Sequence, residues 1–122
     1  MISKPRIFIL VEQYHYFKEF FEPLFETIGE SVDIILIINN LNQQHTDKIL
    51  FCSKELSNIK DIKIVKLYGA GLINSLFSIF GLLKYTKLGG IWCFPFLSDP
   101  AIRILSEKIA YGGGKSILVQ NA

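Results

Sequence analysis

The stretch RIFILV at residues 6–11 decides the fold that the sequence predicts. Five consecutive apolar residues after Arg6 are typical of a strand that is covered on both faces of a parallel sheet. A second run of this kind, VDIILII at residues 32–38, follows after one amphipathic segment. Two buried strands separated by a helix indicate an α/β protein built from strand–helix–strand units.

The helix between these two runs is predicted from a stripe of aromatic side chains. Apolar residues recur at helical spacing with charged residues on the opposite side, and the apolar set is Phe17, Phe20, Phe21, Leu24, Phe25 and Ile28. Pro23 is expected to kink or restart the helix because proline lacks an N–H donor. The stripe is expected to anchor the core, and the alternative is that so aromatic a face meets a membrane or a partner protein.

The remainder of the chain continues the same alternation. Further strands are predicted at residues 62–67, 91–96 and 116–120, and further helices at about residues 43–57, after Gly71 and from Pro100. Lysines in the third strand favour a place at the edge of the sheet. With right-handed crossovers, the pattern predicts a Rossmann-like, doubly wound, five-stranded parallel sheet in the order 3-2-1-4-5. Residues 1–122 are predicted to form a single domain, and because no helix follows the last strand we expect it to be the N-terminal half of a larger protein.

Composition excludes several classes of protein. Half of the residues are hydrophobic, which is incompatible with a disordered chain. A formal net charge of +2 is too small to predict a nucleic-acid partner. Cys52 and Cys93 have neither metal-ligand spacing nor a nearby histidine, so we expect reduced thiols, no metal site and no cofactor. The first apolar run is too short for a signal peptide and no stretch is long enough to span a membrane, which predicts a cytoplasmic protein.

Polar residues follow the carboxyl ends of the predicted strands, where proteins of this topology bind ligands. This position predicts a binding edge made of Glu12, Gln13, His15, Asn39, Asn40, Gly69, Gly71, Ser98, Asp99, Gln120 and Asn121. Glu12 and His15 are the catalytic candidates, because a carboxylate beside an imidazole suits a general base. The alternative is that Glu12 faces the positive end of a helix dipole and His15 is merely exposed. His45 is expected to be solvated.

Three short motifs have simpler explanations than phosphate binding. Gly69-Ala70-Gly71 opens a helix after a strand, but Asn74 replaces the third glycine of a dinucleotide fingerprint, which favours a tight turn. Ser98-Asp99 before Pro100 is typical of a helix cap, with an anion at its backbone donors as the alternative. The run GGGKS at residues 112–116 precedes a strand, whereas a phosphate loop follows one, so it is predicted to be a helix stop.

The chain resembles the N-terminal domain of bacterial two-domain (GT-B type) glycosyltransferases of surface-polysaccharide biosynthesis. The resemblance covers the whole length and rests on the opening KPRIFILV (4–11), the strand–helix alternation and the closing KSILVQNA (115–122). Asn121 and Ala122 stand where the family often has His and Gly.

The resemblance implies that this domain binds a saccharide acceptor, either a polysaccharide or a lipid-linked sugar. Glu12 and His15 would then deprotonate the acceptor hydroxyl, and Asn39, Asn40, Ser98, Gln120 and Asn121 would contact its hydroxyl groups. A C-terminal domain would bind the nucleotide-sugar donor, so the isolated domain would be inactive. Peripheral contact with the inner face of the membrane is also implied.

Two other hypotheses remain open at the level of sequence. One is a stand-alone flavodoxin-like module that binds a ligand or transmits a signal. The other is an interaction domain that recruits a protein partner through the unfinished edge of its sheet. The donor sugar, the acceptor and the linkage are not predicted, and the oligomeric state, including a homo-oligomer, stays open.

Overall fold

The five strands lie in one parallel sheet. The structure, a computed structural model, describes residues 5–11, 13–28, 31–40, 42–56, 58–66, 72–86, 89–94 and 100–118. The strands are, in chain order, β1 (Arg6–Val11), β2 (Asp33–Asn39), β3 (Ile59–Val65), β4 (Ile91–Phe94) and β5 (Lys115–Leu118). Their order across the sheet is β3-β2-β1-β4-β5, and every neighbouring pair is parallel. The predicted α/β sheet in the order 3-2-1-4-5 is therefore confirmed.

Helices form the connections between the strands. They are α1 (Tyr14–Tyr16), a π-helical segment (Phe17–Phe21, called the π segment below), α2 (Glu22–Ile28), α3 (Gln43–Ser53), α4 (Leu72–Thr86) and α5 (Pro100–Tyr111). The first three follow one another directly and together connect β1 to β2. Among the described helices, none combines the length and the apolarity that a bilayer span requires.

Two apolar layers cover the two faces of the sheet. Both layers include side chains of β1 and β2, because alternate residues of a strand point to opposite faces. The first layer adds side chains of the π segment, α2 and α3, and its members are Ile9, Val11, Phe17, Phe21, Phe25, Ile34, Leu36, Ile38 and Ile49. The second adds side chains of β4, α4 and α5, and its members are Phe8, Leu10, Ile35, Ile37, Leu82, Trp92, Leu105 and Ile109. Coverage on both sides explains why β1 from Ile7 to Val11 and β2 from Ile34 to Ile38 consist of apolar residues alone.

Fewer side chains of the aromatic stripe before β2 are buried than the spacing predicts. Phe17, Phe21 and Phe25 are buried, whereas Phe20 is 47% exposed and Leu24 is also exposed. Three phenylalanines rather than four therefore anchor the first layer, and burial of each contributes about 1.5–3 kcal/mol. Their rings contact one another, with centroids 6.0 Å apart for Phe17–Phe25 and 6.2 Å apart for Phe21–Phe25.

The change of helix type beside Pro23 explains this narrowing. The π segment ends at Phe21, and the α-helical hydrogen-bond pattern resumes at Glu22. Proline has no N–H to donate to the preceding turn, and a π turn accommodates an additional residue per turn at such a site. The wider turn leaves buried residues four apart in sequence on one line. The expected disruption at Pro23 thus takes the form of a π segment.

Three elements, α3, β3 and α4, differ from their predicted limits or faces, and α3 ends at Ser53 rather than at about residue 57. β3 begins at Ile59, three residues before the predicted start, because its pairing with β2 extends back across a register shift at Ile34/Ile35. Most of its residues are partly buried, as an edge strand requires. In α4, Leu82 is buried and Phe80 is 67% exposed. The sequence predicts the opposite for Phe80, because its spacing with Leu72, Leu76 and Leu83 puts these four residues in one apolar stripe. Apolar residues occur around much of this helix, so spacing alone does not select the face that packs on the sheet.

Candidate functional site

The carboxyl edge of the sheet, where all five parallel strands end, is the expected binding edge. β1 ends at Val11 and β2 at Asn39, and the connections that follow lead into α1 and α3. β1 lies between β2 and β4, so the first two connections pack on one face and the last two on the other. Ligands of doubly wound sheets bind at such a reversal point. The described part of this edge comprises residues 13–16, 39–40, 42–48 and 65–66.

Several predicted site residues lie outside the described residues. They are Glu12, Gly69, Gly71, Ser98, Asp99, Gln120 and Asn121. The pairing of Glu12 with His15 therefore stays a prediction, as do both alternatives for the Ser98-Asp99 turn. The described candidates are Gln13, His15, Asn39 and Asn40.

His15 lies exposed in the short helix α1, directly after the end of β1. Gln13 precedes the helix in extended conformation, and its carbonyl accepts a hydrogen bond from the N–H of Phe17 at 3.1 Å. The ring of His15 contacts two other rings edge-on, those of Tyr14 at 5.8 Å and His45 at 6.0 Å between centroids. An exposed imidazole in this place is accessible to a ligand at the edge.

His45 belongs to the same cluster, although the sequence predicts it to be solvated. Its ring is half-buried, and Nδ1 accepts a hydrogen bond of 2.8 Å from the backbone N–H of Tyr14. The sequence feature that could have placed His45 in this cluster is the cap of α3. The Asn42 side chain accepts hydrogen bonds from the N–H groups of Gln44 and His45, which sets His45 in the first helical turn. Because α3 follows β2 and α1 follows β1, their first turns meet at the same edge.

The side chain of Tyr14 also contacts α3. Its hydroxyl lies 4.0 Å from the Cys52 Sγ, and the Lys48 Nζ lies 5.4 Å from the centre of its ring. The contact with Cys52 raises the pKa of the Tyr14 hydroxyl, which keeps it protonated. Tyr14, His15, His45, Lys48 and Cys52 form what we call the Tyr14 cluster.

Asn39 and Asn40 occupy different environments at the end of β2. Asn39 is fully buried, whereas Asn40 is partly exposed. The Asn40 side chain accepts a hydrogen bond from Thr46 Oγ1 at 2.8 Å and donates one to Gln43 Oε1 at 3.1 Å. Of the two, Asn40 is the one that a ligand reaches without rearrangement of the strand.

The charges of the Tyr14 cluster suit proton transfer and polar binding. Lys48 contributes a cation, and His15 and His45 contribute imidazole nitrogens that donate or accept hydrogen bonds. In the described part of the chain, no three residues of the types His, Cys, Asp and Glu lie close enough together to hold a metal ion. Cys52 and Cys93 are both free, and burial raises the pKa of the Cys93 thiol.

A second surface exposes large apolar side chains away from this edge. Phe77 and Phe80 on α4 and Ile104 and Tyr111 on α5 are exposed, with Phe77 at 70% and Tyr111 at 94%. A groove of about 380 Å³ joins the two helices and is lined by Leu83, Lys84, Thr86, Lys108, Tyr111 and Gly112. On each helix the exposed residues recur at helical spacing. We call Phe77, Phe80, Lys84, Ile104, Lys108 and Tyr111 the α4–α5 face.

Comparison of the chain with protein-family models, with curated proteins and with solved structures gave no match. The residues of the edge themselves determine the chemistry that it offers. They provide an accessible imidazole, a second imidazole that contacts it, and amide groups at the end of the neighbouring strand.

Proposed function

We propose that this chain is the acceptor-side domain of a glycosyltransferase that moves a sugar from a nucleotide donor to a polysaccharide or lipid-linked acceptor. The observation that carries the proposal is the exposed His15 at the carboxyl edge of a doubly wound parallel sheet. Gln13 and Asn40, both accessible at this edge, supply the amide groups that bind sugar hydroxyls well. The resemblance in sequence supports the choice of reaction.

In the proposed reaction, this domain removes one proton from the acceptor hydroxyl. The acceptor hydroxyl loses its proton to His15 as its oxygen bonds to the anomeric carbon of the donor sugar. The bond between that carbon and the nucleotide diphosphate breaks, and the diphosphate leaves with the electron pair. Glu12 would orient His15 or share this role, and the donor would be held by a second domain. General-base catalysis of this kind contributes about 10²–10⁴-fold in rate.

The α4–α5 face supports the second part of the proposal, peripheral contact with the inner face of an anionic membrane. Aromatic and aliphatic side chains flanked by lysines are typical of surfaces that lie at the lipid headgroups. The face has two exposed cations, Lys84 and Lys108, and the exposed Glu107 lies beside Ile104 and Tyr111 on α5. Anionic lipids complement the two lysines.

Binding to the ¹⁵N-labelled chain tests the acceptor assignment. The acceptor probe is a hexosamine linked through a diphosphate to a short alkyl chain, and the donor probe is uridine diphosphate. We expect the acceptor probe to shift the backbone NMR signals of Gln13, His15 and Asn40, and the donor probe to leave them unchanged. Shifts at these residues with uridine diphosphate alone would instead indicate a nucleotide-binding domain.

The catalytic assignment is tested by sugar transfer in the whole enzyme of which this chain is the acceptor side. His15→Ala is expected to lower the transfer rate by about 10²–10⁴-fold, the usual contribution of a general base. Lys54→Ala, an exposed position at the far end of α3, is the matched control and should leave the rate unchanged. An unchanged rate in His15→Ala would remove His15 as the base.

A further inference from the structure

The first turn of α1 is held by a residue from another helix. The leading N–H groups of a helix have no partner inside it, and a side chain just before the helix usually accepts from them. Gln13 makes no such bond. The Nδ1 of His45, 31 residues away in sequence, accepts from the N–H of Tyr14 instead. The link therefore joins the start of α1 to the first turn of α3.

This link requires one protonation state of His45. Nδ1 accepts a hydrogen bond only when it carries a lone pair, so the ring is neutral with its proton on Nε2. An imidazolium has N–H donors on both nitrogens, and a donor cannot accept from the Tyr14 N–H. Uptake of a proton by His45 is thus incompatible with the link.

We propose that His45 is a positioning residue for His15 and makes the entry into α1 dependent on pH. Neutral His45 holds the Tyr14 N–H and keeps His15 in place at the binding edge. Protonated His45 releases the Tyr14 N–H, and the turn that includes His15 loosens. The role of His15 as a base rests on the proposed function, but the link between His45 and Tyr14 does not.

Other titratable and charged side chains lie near His45 on α1 and α3. On α1 these are Tyr14 and His15, whose ring centroid lies 6.0 Å from that of His45. On α3 they are Lys48 and Cys52, which contact Tyr14. The Asp47 carboxylate accepts a hydrogen bond from the side-chain amide of Gln43. The Lys18 Nζ forms an ion pair with Glu22 Oε1 at 2.8 Å. Among the described residues, His15 is the other imidazole at this edge, and the variants below separate its effect from that of His45.

Imidazole ¹⁵N signals of the whole chain give the first test, without any substitution. At about pH 8 we expect the His45 Nδ1 to be unprotonated and its Nε2 to be protonated, the state that the link requires. A proton on Nδ1 under these conditions would overturn the proposal. No ligand is needed, so failure of the proposed function leaves this result unaffected.

Hydrogen exchange at the Tyr14 amide gives the second test. Between about pH 8 and pH 5 we expect its protection, corrected for the intrinsic exchange rate, to fall roughly tenfold, the effect of losing one hydrogen bond. His45→Ala should lose the protection at both pH values. His45→Asn should keep it at both, because the asparagine oxygen accepts at the place of Nδ1 and does not titrate. His15→Ala should retain the wild-type transition, and a transition that disappears in His15→Ala but survives in His45→Ala would overturn the proposal.

Discussion

At the scale of single residues, the approach of β4 to β1 depends on a missing side chain. Gly90 precedes β4 with a φ of 94°, a conformation that L-residues rarely adopt. A Cβ at this position would lie 3.0 Å from the Arg6 carbonyl oxygen and 3.3 Å from Phe8 Cε2. The neighbouring Gly89 has a φ of 70° but no atom within 4 Å of an added Cβ. Substitutions at Gly89 and Gly90 therefore distinguish the cost of backbone strain from the cost of a steric clash.

We expect Gly90→Ala to lower the free energy of unfolding by about 2–4 kcal/mol, since positive φ and a clash with a carbonyl both act. Gly89→Ala, in which positive φ acts alone, should lower it by about 1 kcal/mol. Urea denaturation of both variants and the wild type measures the difference. Equal losses would mean that the β1–β4 contact adapts to the methyl group.

At the scale of elements, the helix between β1 and β2 shows what sequence spacing predicts and what it does not. The positions of the helix and the aromatic anchors Phe17, Phe21 and Phe25 follow from the sequence. The exposure of Phe20 does not, because the usual 3.6-residue turn puts it beside Phe17 and Phe21, whereas the π segment changes the turn. Pro23 indicates a disruption, but its form depends on packing against the sheet.

If the α4–α5 face contacts a membrane, Phe77 and Phe80 should provide much of the binding. Replacing both Phe77 and Phe80 by Ser should lower binding to phosphatidylglycerol vesicles at least roughly tenfold, since each buried ring contributes about 1.5–3 kcal/mol. Phe51→Ser is the matched control: Phe51 is 71% exposed, as Phe77 is 70%, but lies on α3. Vesicle co-sedimentation measures the binding.

Neutral phosphatidylcholine vesicles should bind the wild-type chain more weakly than anionic ones, because Lys84 and Lys108 lose their partners. A loss in Phe51→Ser as large as that in the double variant would indicate unspecific adsorption. Absence of binding to anionic vesicles would contradict the proposed contact outright.

At the scale of the whole molecule, one sheet separates two apolar layers that unfold together if the domain is a single unit. Leu36 and Ile37 are neighbours in β2, both are buried, and they point into opposite layers. Trp92, the one tryptophan of the chain, lies in the same layer as Ile37. Its fluorescence therefore reports on one layer, while circular dichroism reports on all helices.

We expect Leu36→Ala and Ile37→Ala each to lower the free energy of unfolding by about 2–5 kcal/mol. In both variants the urea transitions seen by Trp92 fluorescence and by circular dichroism should coincide. The decisive variant is Leu36→Ala, because its cavity lies in the layer opposite to Trp92. Separate transitions in that variant would show that the two layers unfold independently.

The fold is predictable from the sequence to a greater extent than the site is. Strand order follows from local properties, since residues 7–11 and 34–38 are apolar throughout and lysines mark the third strand. The bond between Tyr14 and His45 has no local signal, because its two residues belong to different strand–helix units. Topology and the Asn42 cap together place His45 at the edge, but its contact with Tyr14 depends on how α3 packs against α1.

That bond also constrains the order in which the chain folds. Its acceptor is made 31 residues after its donor and reaches the edge only when β2 has paired with β1 and α3 has docked. Closing so long a loop costs entropy that earlier contacts must offset. During synthesis on a ribosome, the bond between Tyr14 and His45 therefore forms only after α3 has been synthesised to Ser53. The region around His15 is then expected to reach its native conformation later than β1 and β2.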